Sequence, residues 1–209
     1  MKLLLSLVAA AAVWTASAQG TFQAVLSYST DISSFFAGTA GYTFQTTGFL
    51  TVTELGCFDY LFGANNQGPI EVGLWAPDGL LMASNTITSG SPMVGQTRYE
   101  PIPEVSLAPG SVYHLGAFSP SNTTFTIFLN IAAPSVGGSV VTSSEIQLRA
   151  LASTSGAFAS PAEVSGTGGA LYLGPNFQYR TGVPEPSSSL LLGRAGAILA
   201  ARRSRMRRR

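Results

Sequence analysis

The stretch Ile70 to Thr88, IEVGLWAPDGLLMASNTIT, decides the fold of this chain. From Ile70 to Leu74 apolar residues occupy alternate positions, which is the period of a β-strand with one buried face. Pro77-Asp78-Gly79 then predicts a turn, because proline presets the first φ and glycine accepts a positive φ. The chain returns through Leu80 to Thr88, so the whole stretch predicts a β-hairpin.

Similar short runs continue on both sides of the hairpin, separated by clusters of Gly, Pro, Asn, Asp and Ser. No segment between Gln19 and Gly182 has the capped 3.6-residue period of a helix. We therefore expect residues 19–182 to form an all-β domain, an antiparallel sandwich of jelly-roll-like or immunoglobulin-like topology. Ser153 to Gly169, rich in small residues, is predicted to be a long loop. The other predicted strands are Ala24–Ser29, Gly41–Thr46, Phe49–Phe58, Arg98–Ile102, Val112–Phe118, Phe125–Ile131, Val140–Leu148, Ala170–Leu173 and Phe177–Tyr179.

Residues 1–18 have the pattern of a secretory signal peptide. Met1-Lys2 supplies a positive charge, Leu3 to Val13 is apolar, and Ala16-Ser17-Ala18 fits a small-residue cleavage site. The apolar run predicts a signal helix that is too short to be a permanent anchor. We expect export, with a signal peptidase cutting between Ala18 and Gln19.

The last 27 residues, 183–209, have three parts in a fixed order. Val183-Pro184-Glu185-Pro186 is expected to be extended and exposed, because proline fixes φ and disfavours helix in the residue before it. Leu190 to Ala201 is apolar except for Arg194 and predicts a short apolar helix. Counted from Ser187 this segment would be about 22 Å long, whereas a stable transmembrane helix needs about 20 residues. A basic cluster that would stay at the cytoplasmic surface follows: Arg202, Arg203, Arg205, Arg207, Arg208 and Arg209.

This tripartite tail resembles the PEP-CTERM sorting signal of bacterial exported proteins. The resemblance implies that an exosortase, a membrane protease-transpeptidase, recognises the Pro-Glu-Pro motif and removes the tail after transient contact with the inner membrane. It further implies a final location at the cell surface or outside the cell. Arg194 departs from the pattern, because the family keeps this segment apolar and a central arginine costs about 2.5–3.5 kcal/mol on insertion scales.

The centre of the body carries a second resemblance. Gly41 to Ser119 resembles an uncharacterised β-sandwich domain of secreted bacterial proteins. That family implies no activity, and its presence in carbohydrate-associated secreted proteins suggests glycans by association alone. The segments that carry the resemblance are Tyr42-Thr43-Phe44, Leu50–Asp59, Val72–Trp75, Gly79–Ser84, Arg98-Tyr99 and Leu107–Ala117.

The body without its two ends is acidic. Residues 19–182 contain three arginines, no lysine and nine acidic residues, so the formal charge is 3 − 9 = −6. Such a body has no general attraction for nucleic acid, which we therefore do not expect as a partner. Cys57 is the only cysteine of the chain, so it has no intramolecular disulfide partner, and its apolar neighbours predict burial.

The body offers few groups for catalysis. His114 is the only histidine and lies in a predicted strand, and no nucleophile-elbow motif is present. Glu100 and Glu104 supply two carboxylates, but their Pro-Ile-Pro context indicates a solvated edge segment rather than a glycosidase pair. Clustered His and Cys ligands and a calcium-loop motif are missing. We expect no enzyme, no metal and no cofactor.

Two functions remain open. The first is a non-enzymatic surface or extracellular-matrix protein associated with exopolysaccharide. The alternative is a carbohydrate-binding module in which exposed aromatic rings stack on a glycan. Trp75, beside the predicted turn, and Tyr99 are the candidate rings, although aromatic residues at alternating strand positions more often belong to a core.

Overall fold

The computed structural model describes residues 20–28, 32–35, 37–59, 68–119, 125–130, 140–163, 170–172 and 174–182. Throughout these residues the regular structure is β-strand, every ladder is antiparallel, and no α-helix occurs. The prediction of an all-β, antiparallel domain is therefore confirmed. The predicted signal helix in residues 1–18 and the short helix of the tail lie outside the described residues.

The strands are short, as the frequent turn residues predict. In chain order they are β1 Phe22–Gln23, β2 Val25–Tyr28, β3 Ile32–Phe35, β4 Gly38–Thr46, β5 Leu50–Phe58, β6 Ile70–Trp75, β7 Leu81–Ile87, β8 Met93–Val94, β9 Thr97–Leu107, β10 Val112–Ser119, β11 Phe125–Asn130, β12 Val140–Thr142, β13 Ile146–Ser155, β14 Ala162–Glu163, β15 Ala170–Tyr172 and β16 Pro175–Thr181.

Two sheets contain most of these strands. The five-stranded sheet has the order β1-β16-β5-β9-β8, and the six-stranded sheet has the order β14-β13-β4-β10-β6-β7. Smaller sheets are formed by β15-β11-β3 and by β12-β2. The predicted hairpin is present, since β6 pairs with β7, and at its turn Leu80 N–H donates to Asp78 Oδ1 at 3.1 Å. Gly79 has the positive φ, 83°, that the turn requires.

Two predictions along the second half of the chain are wrong. Val140–Leu148 is not one strand but β12 and the start of β13, separated by a turn in which Ile146 N–H donates to Ser143 O at 3.1 Å. The stretch 153–169 is not all loop, because β13 continues to Ser155 along β4. Small polar residues have little strand preference of their own, so the pairing with β4 decides this segment.

Both large sheets supply side chains to one hydrophobic core. Phe44 on β4 and Phe177 on β16 belong to different sheets, and their ring centroids are 5.0 Å apart. Such an aromatic pair contributes about 0.5–1.5 kcal/mol beyond the area that it buries. Cys57 is also fully buried in this core, as predicted, and desolvation raises the pKa of its thiol to about 12. The thiol is therefore protonated and unreactive at neutral pH.

The two sheets also approach each other where β7 lies beside β9. In the described residues no backbone ladder joins these strands; instead Asn85 Nδ2 donates to Pro101 O at 2.8 Å. Tyr99 N–H points away from β5, to Pro92 O at 2.8 Å. Because backbone direction alternates along a strand, the backbone groups of residue 101 also point away from β5. Residue 101 is a proline and has no N–H to donate.

One end of the domain collects both described termini. Thr181 is the last residue of β16, and Gly182 N–H donates to Phe49 O at 3.1 Å. Phe22 pairs with Tyr179 in an antiparallel ladder, so the chain before Phe22 runs toward the same end. The registers of β4, β10 and β6 bring further turns to this place. We name it the terminal end; it is formed by residues 20–21, 47–49, 76–80, 108–111, 143–145 and 182.

Candidate functional site

Trp75 lies on the face of the six-stranded sheet that is turned away from the core. Val72 and Leu74 belong to the core, so alternation along β6 places Gly73 and Trp75 on the opposite face. Trp75 is nevertheless only 3 % exposed. The indole lies over Gly73, where an added Cβ would overlap the ring.

An aromatic cluster covers this face. The ring centroid of Phe158 lies 5.2 Å from that of Trp75 and 6.1 Å from that of Phe118. Phe158 belongs to a segment that follows β13 and crosses the sheet, residues 156–161, which we name the strap. Phe118 and Phe158 are both half-buried, so parts of their rings stay in solvent.

Polar side chains of the sheet hold the strap in place. The Thr39 hydroxyl donates to Ala157 O at 2.6 Å and accepts from Ala159 N–H at 3.2 Å. His114 Nδ1 lies 2.9 Å from Pro161 O, so the only histidine of the chain is a strand residue that contacts the strap. Loss of the Thr39 hydroxyl would therefore remove hydrogen bonds to two backbone groups of the strap.

Two glycines in register, Gly73 and Gly116, make room for the indole and the strap. Gly116 on β10 pairs with Gly41 on β4 and with Gly73 on β6. A Cβ at Gly116 would lie 3.3 Å from Pro161 Cγ and 3.4 Å from the Trp75 ring. The missing side chains therefore allow the rings to approach the backbone of the sheet.

Tyr99 has the equivalent position on the outer face of the five-stranded sheet. Leu55 and Cys57 are core residues, so Gly56 between them faces outward, and Tyr99 pairs with Gly56. Tyr99 is 1 % exposed, and a Cβ at Gly56 would overlap its ring. The Tyr99 hydroxyl donates to Gln23 Oε1 at 3.2 Å.

The prediction that Trp75 and Tyr99 carry exposed rings is therefore wrong. Each ring lies over a glycine and is covered by its own chain, so neither presents a free face to a sugar. The half-buried rings of the aromatic cluster, Phe118 and Phe158, take their place as candidates. Sequence reasoning missed Phe158, whose signal was a single aromatic residue inside the small-residue run of the strap.

The carboxylates of β9 have separate structural partners. Ser91 Oγ donates to Glu100 Oε1 at 2.6 Å, and Arg180 Nη1 donates to Glu104 Oε1 at 3.0 Å. Glu54 lies on the neighbouring strand β5, where burial, and then the charge of Glu100, raise the pKa of its carboxyl. Glu100 and Glu104 therefore have separate hydrogen-bond partners, Ser91 and Arg180.

The predicted sorting residues lie outside the described residues. This applies to the motif Val183 to Pro186, to the arginines from Arg202 to Arg209, and to the cleavage pair Ala18 and Gln19. The structure does show where the described chain ends, at Gly182 in the terminal end.

Comparison with known proteins assigns no family: no protein-family model and no curated protein matches the chain. No group of three or more His, Cys, Asp and Glu residues in the described ranges is placed to hold a metal ion. Within the same part of the chain, no helix is long and apolar enough to cross a membrane.

Proposed function

We propose that this protein is an exported, exosortase-processed protein of the cell surface or extracellular matrix, without enzymatic activity and associated with exopolysaccharide. The order of the tail carries the proposal: the motif Val183–Pro186, then the apolar segment 190–201, then the arginine-rich end. The signal-peptide pattern of residues 1–18 supports the same route. Signal peptidase and exosortase are the processing partners. The charge of −6 on residues 19–182 disfavours nucleic acid as a partner.

The position of β16 supports this proposal. Val183 comes one residue after the Gly182 that bonds to Phe49 O, so cleavage in the motif would remove no residue of β16. Two sheets with a shared core also support the finer fold assignment, a sandwich of jelly-roll-like or immunoglobulin-like topology. The folded domain then remains intact after both ends of the precursor are removed.

The intact mass of the mature protein from its native host tests the proposal. We expect a wild-type chain that begins at Gln19 and ends near Val183–Pro186. Glu185→Ala should keep the whole tail, because the carboxylate between the two prolines is lost, whereas the control Ser189→Ala should be processed normally. A wild-type protein that retains its terminal arginines would contradict the proposal and would indicate that Arg194 disables the signal.

A carbohydrate-binding module remains the second candidate, because the aromatic cluster presents parts of two rings on an outer sheet face. Stacking on a sugar would use Phe158, and Phe158→Ala should then abolish saturable binding on a glycan array. Phe49→Ala is the matched control, since it removes an exposed ring that lies away from the cluster. No saturable binding by the wild-type protein would exclude this second function.

A further inference from the structure

The positions of the two termini indicate which part of the domain meets the membrane. The described chain begins at Gly20 and ends at Gly182, both in the terminal end, where the predicted signal peptide and tail attach. We propose that the terminal end faces the bilayer surface before processing and that the loop residues Phe49 and Leu80 contact lipid. This inference rests on the proposed function, because it requires a tail that reaches the membrane.

Two loop tips of the terminal end carry exposed apolar side chains. Phe49 is 49 % exposed, and its own carbonyl accepts the hydrogen bond from the Gly182 N–H. Leu80 is 68 % exposed at the β6–β7 turn, where the bond from its N–H to Asp78 fixes the backbone. Transfer of apolar side chains from water to the lipid boundary is favourable, so partial burial of two of them there orients a tethered domain.

The length of the tether restricts the alternatives. Gly182 and Leu190, the first residue of the apolar segment, are eight residues apart and thus at most about 28 Å apart when fully extended. A domain of this size has a radius of gyration of about 15 Å and is roughly 40 Å across. The opposite end cannot turn to the bilayer without moving the terminal end farther away than the tether allows.

Charge is also more favourable at this end. Arg149 and Arg180 lie at or next to it, with Asp78, Glu104 and Glu145, so the local sum is 2 − 3 = −1. The remaining charges of residues 19–182 sum to 1 − 6 = −5. Anionic lipid therefore repels the terminal end less than it repels the body as a whole.

Fluorescence quenching on the full 209-residue chain tests this orientation. An environment-sensitive fluorophore is attached at Phe49→Cys or Leu80→Cys, and the protein is bound to phosphatidylethanolamine–phosphatidylglycerol vesicles that contain spin-labelled lipid. Native Cys57 needs no replacement, because it is fully buried. Met93→Cys is the matched control, an apolar position of similar exposure, 55 %, on β8 at the opposite end of the domain.

We expect lipid to quench the labels at positions 49 and 80 several-fold more than the label at 93. Each variant should melt like the wild-type protein, since all three side chains are exposed. A full chain that fails to float with the vesicles would overturn both the membrane role of the tail and this inference. A chain that floats but shows equal quenching at the three positions would overturn the inference alone.

Discussion

Trp75 and Tyr99 occupy similar positions on the outer faces of different sheets but have different surroundings. Each ring lies over a glycine, Gly73 for Trp75 and Gly56 for Tyr99. The indole is covered by the apolar ring of Phe158, whereas the phenol reaches polar partners and donates its hydroxyl to a glutamine. One aromatic residue thus seals a sheet face by apolar contact, and the other does so with a hydrogen bond as well.

The comparison shows how an aromatic residue on an outer sheet face becomes buried without a ligand. A glycine below the ring removes the side chain that would hold the ring away from the backbone, and the ring covers the gap. Where the surroundings are apolar, the stability should come mainly from buried area. Where the surroundings are polar, part of the stability should depend on one hydroxyl and on the charges nearby.

Removal of the indole should have the largest effect. Trp75→Ala deletes a buried ring together with its contact to Phe158 of the strap, so we expect a loss of about 3–5 kcal/mol in the free energy of unfolding. Urea denaturation monitored by circular dichroism measures it. Phe158→Ala is the matched variant and should cost less, because that ring is half-buried. A loss below about 1 kcal/mol for Trp75→Ala would mean that the strap closes over the gap.

A methyl group below the indole should have the next largest effect. In Gly73→Ala the new Cβ would lie 2.8 Å from Phe158 Cζ and closer still to the indole, so overpacking should cost about 1–3 kcal/mol. Gly48→Ala is the control, because no atom of the described part of the chain lies within 4 Å of its Cβ position, and it should stay within about 0.5 kcal/mol of wild type. Equal stability of the two variants in thermal denaturation would refute the close fit.

The hydroxyl of Tyr99 should matter less than either ring. Tyr99→Phe removes the donor to Gln23 Oε1 and should cost about 0.5–1.5 kcal/mol. Tyr42→Phe is the paired control, since the buried Tyr42 hydroxyl has no hydrogen-bond partner among the described residues and its removal should be neutral or slightly stabilising. Denaturant midpoints that move equally in both variants would show that the Tyr99 bond contributes nothing.

The smallest effect concerns the charge beside Tyr99. Burial, and then Glu100, raise the folded-state pKa of Glu54, so the stability of the protonated form is lost as pH rises through that pKa. Glu54→Gln should therefore raise the Tm slightly at pH 7 and leave it unchanged near pH 3. Glu145→Gln should instead lower the Tm slightly at pH 7, because hydrogen bonds from Ser144 and then Tyr179 lower the pKa of Glu145. The stability from Glu145 is present at pH 7 and is lost as pH falls through its folded-state pKa. Melting curves of both variants between pH 3 and 7 decide the signs.

Local patterns were enough to predict the fold class but not the burial of the outer faces. The Ile70–Thr88 hairpin follows from alternation and a Pro-Asp-Gly turn, both of which act within a few residues. Burial of Trp75 depends on Gly116, some forty residues away, and on a strap that follows a different strand. No short window of sequence contains Trp75, Gly116 and the strap together. The ring of Trp75, which its position beside a turn suggested to be exposed, is therefore covered by distant parts of the chain.

The contact between Asn85 and Pro101 affects how readily the protein would self-associate at high concentration. At high concentration a protein is surrounded by copies of itself, and an open strand edge with free N–H groups would recruit them into a growing sheet. At position 101 proline supplies no N–H, and the carbonyl is already taken by the amide of Asn85. A neighbouring copy therefore finds no N–H donor there and a carbonyl that already accepts a hydrogen bond, so strand addition is disfavoured at that position.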